Sequence, residues 1–361
     1  MTRVFRGIAT LGILLIGFSG ALAEAAPSNS CAKPGATKTV SGAQFRCVKQ
    51  RGTLRWVRVP SVPVSTQDTP IISDPVPVWM QVALAIRKTA TDSATGAINF
   101  DLHSQPSVDP QRVDAAVTEL RNAYRPLSGK FPITRPFPVY IFDENGIGWM
   151  QEQVRAIGGN PTQIDDLFRR HPLTATTEAS SIYFTSTGAP FKVFGIGSQV
   201  VVAKPGNIIP FHEAVHLAQS LMGVLQVRMP CWSVEGQANL LMAPLSSLPV
   251  ADIKIFRQGQ ISQALPLIRS RGGSTSANWL TLLRDSEDRG SSLCDSNGLG
   301  YSMGYVVMEK LYADFGEDRL NTWLKAIPPS DWKTAFAQVF GLPVDDWYTN
   351  SAAPYLAQEI A

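Results

Sequence analysis

The pentapeptide His212-Glu213-Ala214-Val215-His216 lies inside an apolar run from Ile208 to Gly223 and holds two of the chain's four histidines. Folded as a helix, positions i and i+4 share a face, so both imidazoles reach a single metal ion. Glu213 is then carried to the side where a water on that ion would sit, close enough to take its proton. Two ligands and a base come from one helical turn. A hydrolytic zinc takes three protein ligands and keeps a fourth position for water, so the chain has to bring a third ligand to this face.

Eighteen residues separate His216 from Glu235, which stands within Cys231-Trp232-Ser233-Val234-Glu235-Gly236-Gln237-Ala238-Asn239. Ser233 is a candidate cap for a second helix running on through Leu240 and Leu241. H-E-x-x-H, a gap of this size and then W-x-x-E-G-x-A resembles the gluzincin metallopeptidases. The resemblance implies one zinc ion held by His212, His216 and Glu235, with Glu213 as general base. It also places Asn239, one turn past Glu235, where thermolysin-like relatives have an aspartate that orients a ligand histidine. An amide still accepts an imidazole N–H but supplies no charge.

A third segment, Gly300-Tyr301-Ser302-Met303-Gly304-Tyr305, resembles the Y-x-x-G of the aminopeptidase branch, whose tyrosine hydroxyl steadies the oxyanion. Tyr301 matches that position and Tyr305 is the reserve candidate. The same stretch, with Met308, Leu311, Tyr312 and Phe315, follows the 3,4 spacing of an amphipathic helix, which gives both tyrosines an alternative role in packing. The G-x-M-E-N segment of that branch is absent, so endopeptidase action is the expectation. The resemblance covers roughly residues 180–350.

Arg3 and Arg6, an apolar stretch from Ile8 to Phe18 and Ala21-Leu22-Ala23 read as a secretory signal peptide over residues 1–23, with Ala26 as the alternative cleavage point. The expected location is extracellular or associated with the cell envelope, with no transmembrane anchor after cleavage. Four cysteines in an exported chain imply two disulfides and three possible pairings. Cys31 and Cys47 enclose two turn signals and are paired as the staple of a small strand-rich unit, residues 24–59, which leaves Cys231 with Cys294. That second bridge would join the start of the glutamate helix to the segment before the tyrosine helix.

Residues 31–59 carry seven Lys or Arg and no acid, whereas residues 60–361 carry a net charge of −5. This basic head is a solvated module or a contact for anionic cell-envelope polymers or lipid headgroups. Nucleic acid is not an expected partner, since no recognisable binding motif is present. Residues 60–78 are proline-rich and read as a linker.

Beyond the linker, helices are expected over Trp79 to Thr91, after the Asp109-Pro110 cap (stripe Val113, Ala116, Val117, Leu120, Tyr124), and over Trp149 to Ile157. Strands are expected over Phe137 to Phe142, Ser181 to Thr185 and Gln199 to Ala203. After Glu235 come Asn278 to Arg284, the Tyr301 helix, Asp318 to Ile327 and Asp331 to Phe340, stopped by Gly341-Leu342-Pro343. Trp323, Trp332 and Trp347 read as packing residues. His103 and His171 lie outside ligand spacing in loop-like, exposed sequence. The expected fold class is α+β: the strand-rich disulfide module, then a thermolysin-like gluzincin domain with an α+β lobe at residues 79–205 and a helical lobe at residues 206–361 carrying the site. The resemblance makes Gln199 to Ala203 or Ile182 to Thr185 the edge strand that binds substrate backbone.

The function expected from these features is a secreted zinc metallopeptidase acting on a peptide or protein substrate. Two alternatives are an envelope-binding protein with a structural or vestigial zinc site and a zinc hydrolase of a non-peptide substrate.

Overall fold

The computed structural model describes residues 31–361 apart from 32, 35, 41–42, 51–52, 59–75, 93, 171, 203–205, 247, 288–291, 295–298 and 329. The expected signal peptide, most of the linker and His171 lie outside the described residues. The described residues divide into two compact units, with the division between Pro75 and Val76. The fold class is α+β, with a three-stranded sheet in the first unit and a four-stranded sheet in the second.

In the first unit β1 (Thr37–Val40), β2 (Ala43–Gln50) and β3 (Thr53–Arg58) form an antiparallel meander. Alternation along β2 buries Phe45 and Cys47 and exposes Arg46 between them. So small a sheet has little core of its own, and the Cys31–Cys47 disulfide joins the segment before β1 to the middle of β2. Arg46 lies opposite Val57, two residues from Arg55, so both arginines stand on the exposed face.

The second unit contains α1 (Val78–Asp92), β4 (Ile98–Ser104), α2 (Pro110–Tyr124), β5 (Ile133–Phe142), α3 (Ile147–Ala156), α4 (Thr162–Arg170), β6 (Glu178–Phe184) and β7 (Pro190–Ile196), followed by helices only. These are α5 (Ile209–Leu221), α6 (Cys231–Leu245), α7 (Val250–Ser270), α8 (Ser276–Asp285), α9 (Leu299–Ala326), α10 (Trp332–Phe340), α11 (Val344–Trp347) and α12 (Ala353–Glu359). Asp109 caps α2 by accepting from the Gln111 N–H, with Pro110 in the first turn. Asp331 caps α10 in the same way, accepting from the Lys333 and Thr334 N–H groups. The segments expected as the Tyr301 helix and the Asp318 helix run together as α9, kinked where Gly316 takes φ 74° and ψ 167°.

The strand order is β4-β5-β7-β6, with β4, β5 and β7 parallel and β6 antiparallel at the edge. Alternate residues divide between two faces. Tyr140, Phe142, Tyr183, Phe191 and Val193 pack with residues of α3 and α4. Val139, Ile141, Ile182, Phe194 and Ile196 belong to the core that continues through α5, α6 and α9. Gln199 to Ala203 is not a strand: its described residues form a turn after β7. Hydrogen bonding explains the difference. The Ser198 N–H and hydroxyl both donate to the Glu144 carboxylate, the Val200 N–H donates to Gly197 O, and Arg112 Nη2 also donates to Gly197 O. These bonds commit the segment to a turn despite its β-branched residues.

All fifteen residues of α6 are buried. Trp232 stacks on Trp323 with centroids 6.3 Å apart, has Trp332 and Trp347 beside it, and donates from Nε1 to the Tyr348 hydroxyl at 2.9 Å. The expected packing tryptophans therefore do pack. α6 and α9 cross backbone to backbone: a Cβ on Gly236 would lie 2.3 Å from the Gly304 carbonyl, and one on Gly304 would lie 2.9 Å from Trp232 O. Only glycine permits this approach. Gly236→Ala forces the helices apart and is expected to cost about 2 kcal/mol or more, read as a lowered urea midpoint with unchanged slope.

Candidate metal centre

α5 begins after Asn207, whose Oδ1 accepts from the Ile209 N–H and whose Nδ2 donates to Glu119 on α2. Pro210 in the first turn suits a helix start. Ala214, Val215, Leu217 and Ala218 fill the core, fixing the helix rotation and sending His212 and His216 to the same side. α6 starts after Pro230, earlier than expected. Ser233 therefore sits inside the first turn, and its hydroxyl donates back to Pro230 O at 2.8 Å instead of capping. The Cys231–Cys294 disulfide forms as expected and fastens that end of α6.

The helices bring His212, His216 and Glu235 together as a group able to hold a metal ion. Nε2 of His212 and Nε2 of His216 are 3.0 Å apart, and Glu235 Oε2 is 3.5 Å and 3.3 Å from them. Ligands about 2.0–2.1 Å from a tetrahedral ion lie about 3.3–3.4 Å from one another, so the triangle has the size of one tetrahedral face. Glu235 Oε2 is buried and has no hydrogen bond among the described residues. A buried acceptor left this way is costly, and a cation at the centre of the triangle satisfies it together with the two ring nitrogens. The residues fit a metal.

The ring orientation of His216 is set by Gln219, one turn on. Gln219 Nε2 donates to Val234 O at 3.0 Å and to Gln237 Oε1 at 2.8 Å, which fixes the amide so that its Oε1 faces His216 Nδ1 at 2.8 Å. Nδ1 must then carry the proton, which leaves Nε2 to the metal. This is the orienting role expected of Asn239, and that expectation is corrected. Asn239 instead donates from Nδ2 to Tyr301 O at 3.3 Å, and its Oδ1 has no hydrogen bond among the described residues.

Glu213 points toward the sheet. Its Oε2 accepts from Lys192 Nζ at 3.2 Å and from the Ser180 hydroxyl at 3.3 Å, while Lys192 Nζ also donates to Ser180 Oγ at 2.7 Å. Its Oε1 makes no hydrogen bond among the described residues. Burial pushes the Glu213 carboxyl up, but the Lys192 ammonium and the rings of His216 and His212 outweigh it and hold the carboxyl below its ordinary range.

Tyr301 is buried in the first turn of α9, its carbonyl held by Asn239 one turn beyond Glu235. Tyr305 belongs to a different cluster: its ring packs on Phe256, and burial, then the Glu309 charge, raises its hydroxyl well above the ordinary range. His103 stacks on Tyr140 and pairs with Asp101 at 3.1 Å, apart from the metal group.

No protein-family model, curated protein or solved structure matches this chain. Sequence reasoning passed over Lys192, Ser180 and Gln219. The signal for Lys192 lies in Phe191-Lys192-Val193-Phe194, a charge inside an otherwise apolar strand. Gln219 carries a weaker one, as a polar residue at i+3 from His216 inside an apolar helix.

Two outcomes follow. Replacing Gln219 by Met removes the acceptor at Nδ1 and is expected to weaken zinc binding about 10–100-fold, measured by competition with a chromophoric chelator. Protons compete for the same site. Burial lowers the His216 ring and the Glu235 charge more than offsets it, raising the ring to about 9. Below that pH zinc has to displace a proton, so its affinity is expected to rise with pH, about tenfold per unit, and to level off above 9.

Proposed function

We propose that this chain is a zinc-dependent metallopeptidase, acting as an endopeptidase outside the cytoplasm. The observation that carries the proposal is the convergence of His212, His216 and Glu235 on one ligand triangle, with Glu213 beside it and in contact with β6, the sheet's antiparallel edge. Two imidazole nitrogens and one carboxylate oxygen at tetrahedral spacing are the donor set of hydrolytic zinc. Zinc, when bound there, supplies an activated water and polarises the scissile carbonyl.

The chain's own residues do the rest. Glu213 takes a proton at Oε1 and returns it to the leaving amine. The edge strand β6 accepts an extended peptide by strand addition, and Ser180 on that strand keeps the peptide next to the base. Tyr301 is the candidate donor to the substrate's developing oxyanion. Tyr305, packed on Phe256 and facing Glu309, serves the fold instead.

Export is supported by two disulfides and the N-terminal segment. Among the described residues no helix is long and apolar enough to cross a membrane. The basic module supports a second role for the same protein, holding it at an anionic envelope polymer. Lys33, Arg46, Lys49 and Arg55 are all exposed, and residues 31–59 contain no acid to offset them.

The zinc-loaded protein is expected to cleave a diverse peptide pool at internal bonds, by mass spectrometry, and Glu213→Gln is expected to bind zinc without cleaving. Full activity of a zinc-bound Glu213→Gln would overturn the mechanism. Deletion of residues 31–59 is expected to abolish binding to a polyanion column at low salt and to leave hydrolysis unchanged.

A further inference from the structure

Lys192 occupies a position that ordinarily takes an apolar side chain. It lies on β7 opposite Val139 of β5 and Ile182 of β6, on the face that also carries Phe194 and Ile196. Its side chain is 2 % exposed, and its ammonium reaches one anion, Glu213, in addition to the Ser180 hydroxyl. A leucine there would fill the same space, and a buried ion pair of this kind adds little net stability over apolar packing. What the lysine adds is direction.

A carboxylate has two equivalent oxygens and turns freely unless one is held. Here one is held. Lys192 donates to Ser180 Oγ, so the hydroxyl directs its own proton to Glu213 Oε2, where the ammonium also donates. The three groups close a ring on a single oxygen, and the ring is anchored in two neighbouring strands, β6 and β7.

We propose that Lys192 is the positioning residue of the base: with Ser180 it pins Glu213 Oε2 and so presents Oε1 to the water that Glu213 deprotonates. The proposal rests on Glu213 being that base. It adds a residue of β7 to a site whose metal-binding group and base come from helices, and it explains why a charged side chain interrupts the apolar pattern of β7.

The test uses the zinc-loaded full chain and acetohydroxamate, a small zinc chelator whose acidic group is hydrogen-bonded by a correctly placed general base. Its affinity is measured by calorimetric titration, which needs no turnover. Glu213→Gln is expected to weaken it at least tenfold. Lys192→Met is expected to bind zinc one to one and to show a similar loss, with no further loss in the double variant, while Lys192→Arg recovers most of the affinity. On any peptide the wild type cleaves, Lys192→Met is expected to lower kcat with KM unchanged. Wild-type acetohydroxamate affinity in Lys192→Met, beside a weakened Glu213→Gln, overturns the positioning role and leaves the base assignment standing. Wild-type affinity in Glu213→Gln itself overturns the base assignment, and the positioning role with it. If Lys192→Met does not fold, Ser180→Ala is the deciding variant: a loss of about threefold supports the proposal, and no loss overturns it.

Discussion

Three acceptors aimed at one point, two of them on buried residues and one on the partly buried His216, are what the second unit holds together. Two imidazole nitrogens and a carboxylate oxygen 3.0–3.5 Å apart repel one another unless positive charge lies between them. The fold holds them there by means that do not involve the site itself. α6 is buried along its whole length, so it has little freedom to slide. Its start is bridged to Cys294, its middle is seated against Gly304, and Trp232 is enclosed by other aromatic rings. With no metal bound, the proton on the His216 ring supplies positive charge beside Glu235, so a metal ion held by this rigid frame would compete with that proton.

A second buried ion cluster shows what a purely structural use of charge looks like in this protein. Arg257 of α7 donates from Nε and Nη2 to the two oxygens of Glu309 on α9, at 2.8 and 2.7 Å, and also reaches Glu359 of α12 at 2.6 Å. Tyr355 donates to Glu309 as well, at 2.7 Å. Both Glu309 oxygens are engaged, and the cluster ties three helices together. At Glu213 the hydrogen bonds among the described residues fall on Oε2 alone. The two carboxylates differ in how they are satisfied: Glu309 is engaged at both oxygens, Glu213 at one.

How much of this was legible in the sequence depended on how local the signal was. The pairing of His212 with His216 on one side of α5 was readable because H-E-x-x-H is a helix-periodic pattern, and the cap at Asp109 because its hydrogen bond reaches only two residues. The disulfides followed from spacing and from the turns between Cys31 and Cys47. The strand expected at Gln199 to Ala203 failed because the backbone leading into it, at Gly197 and Ser198, is claimed by Arg112 and Glu144, more than fifty residues away. α7 and β4 escaped notice because neither shows a clean stripe. The role assigned to Asn239 went to Gln219 because analogy supplied a position, whereas the orienting bond depends on which carbonyl the fold brings to Nδ1.

The Lys192–Glu213 contact also changes what the usual base substitution measures. An amide at Glu213 keeps the shape of the side chain but removes the only anion that, among the described residues, pairs with the Lys192 ammonium, which is 2 % exposed. Leaving a buried charge unpaired costs about 3–5 kcal/mol when nothing else compensates, a sizeable share of the 5–15 kcal/mol that holds a typical domain folded. On the proposed mechanism, loss of turnover in such a variant has two sources, a missing base and a weakened sheet-to-helix contact. Removing the ammonium together with the carboxylate separates them. The charge imbalance disappears in the double substitution while the base remains absent, so stability lost to the unpaired lysine is recovered and the catalytic defect is not. The same physics accounts for finding the two residues together: once a lysine is buried on this face of the sheet, a carboxylate at the second position of α5's H-E-x-x-H offsets its charge.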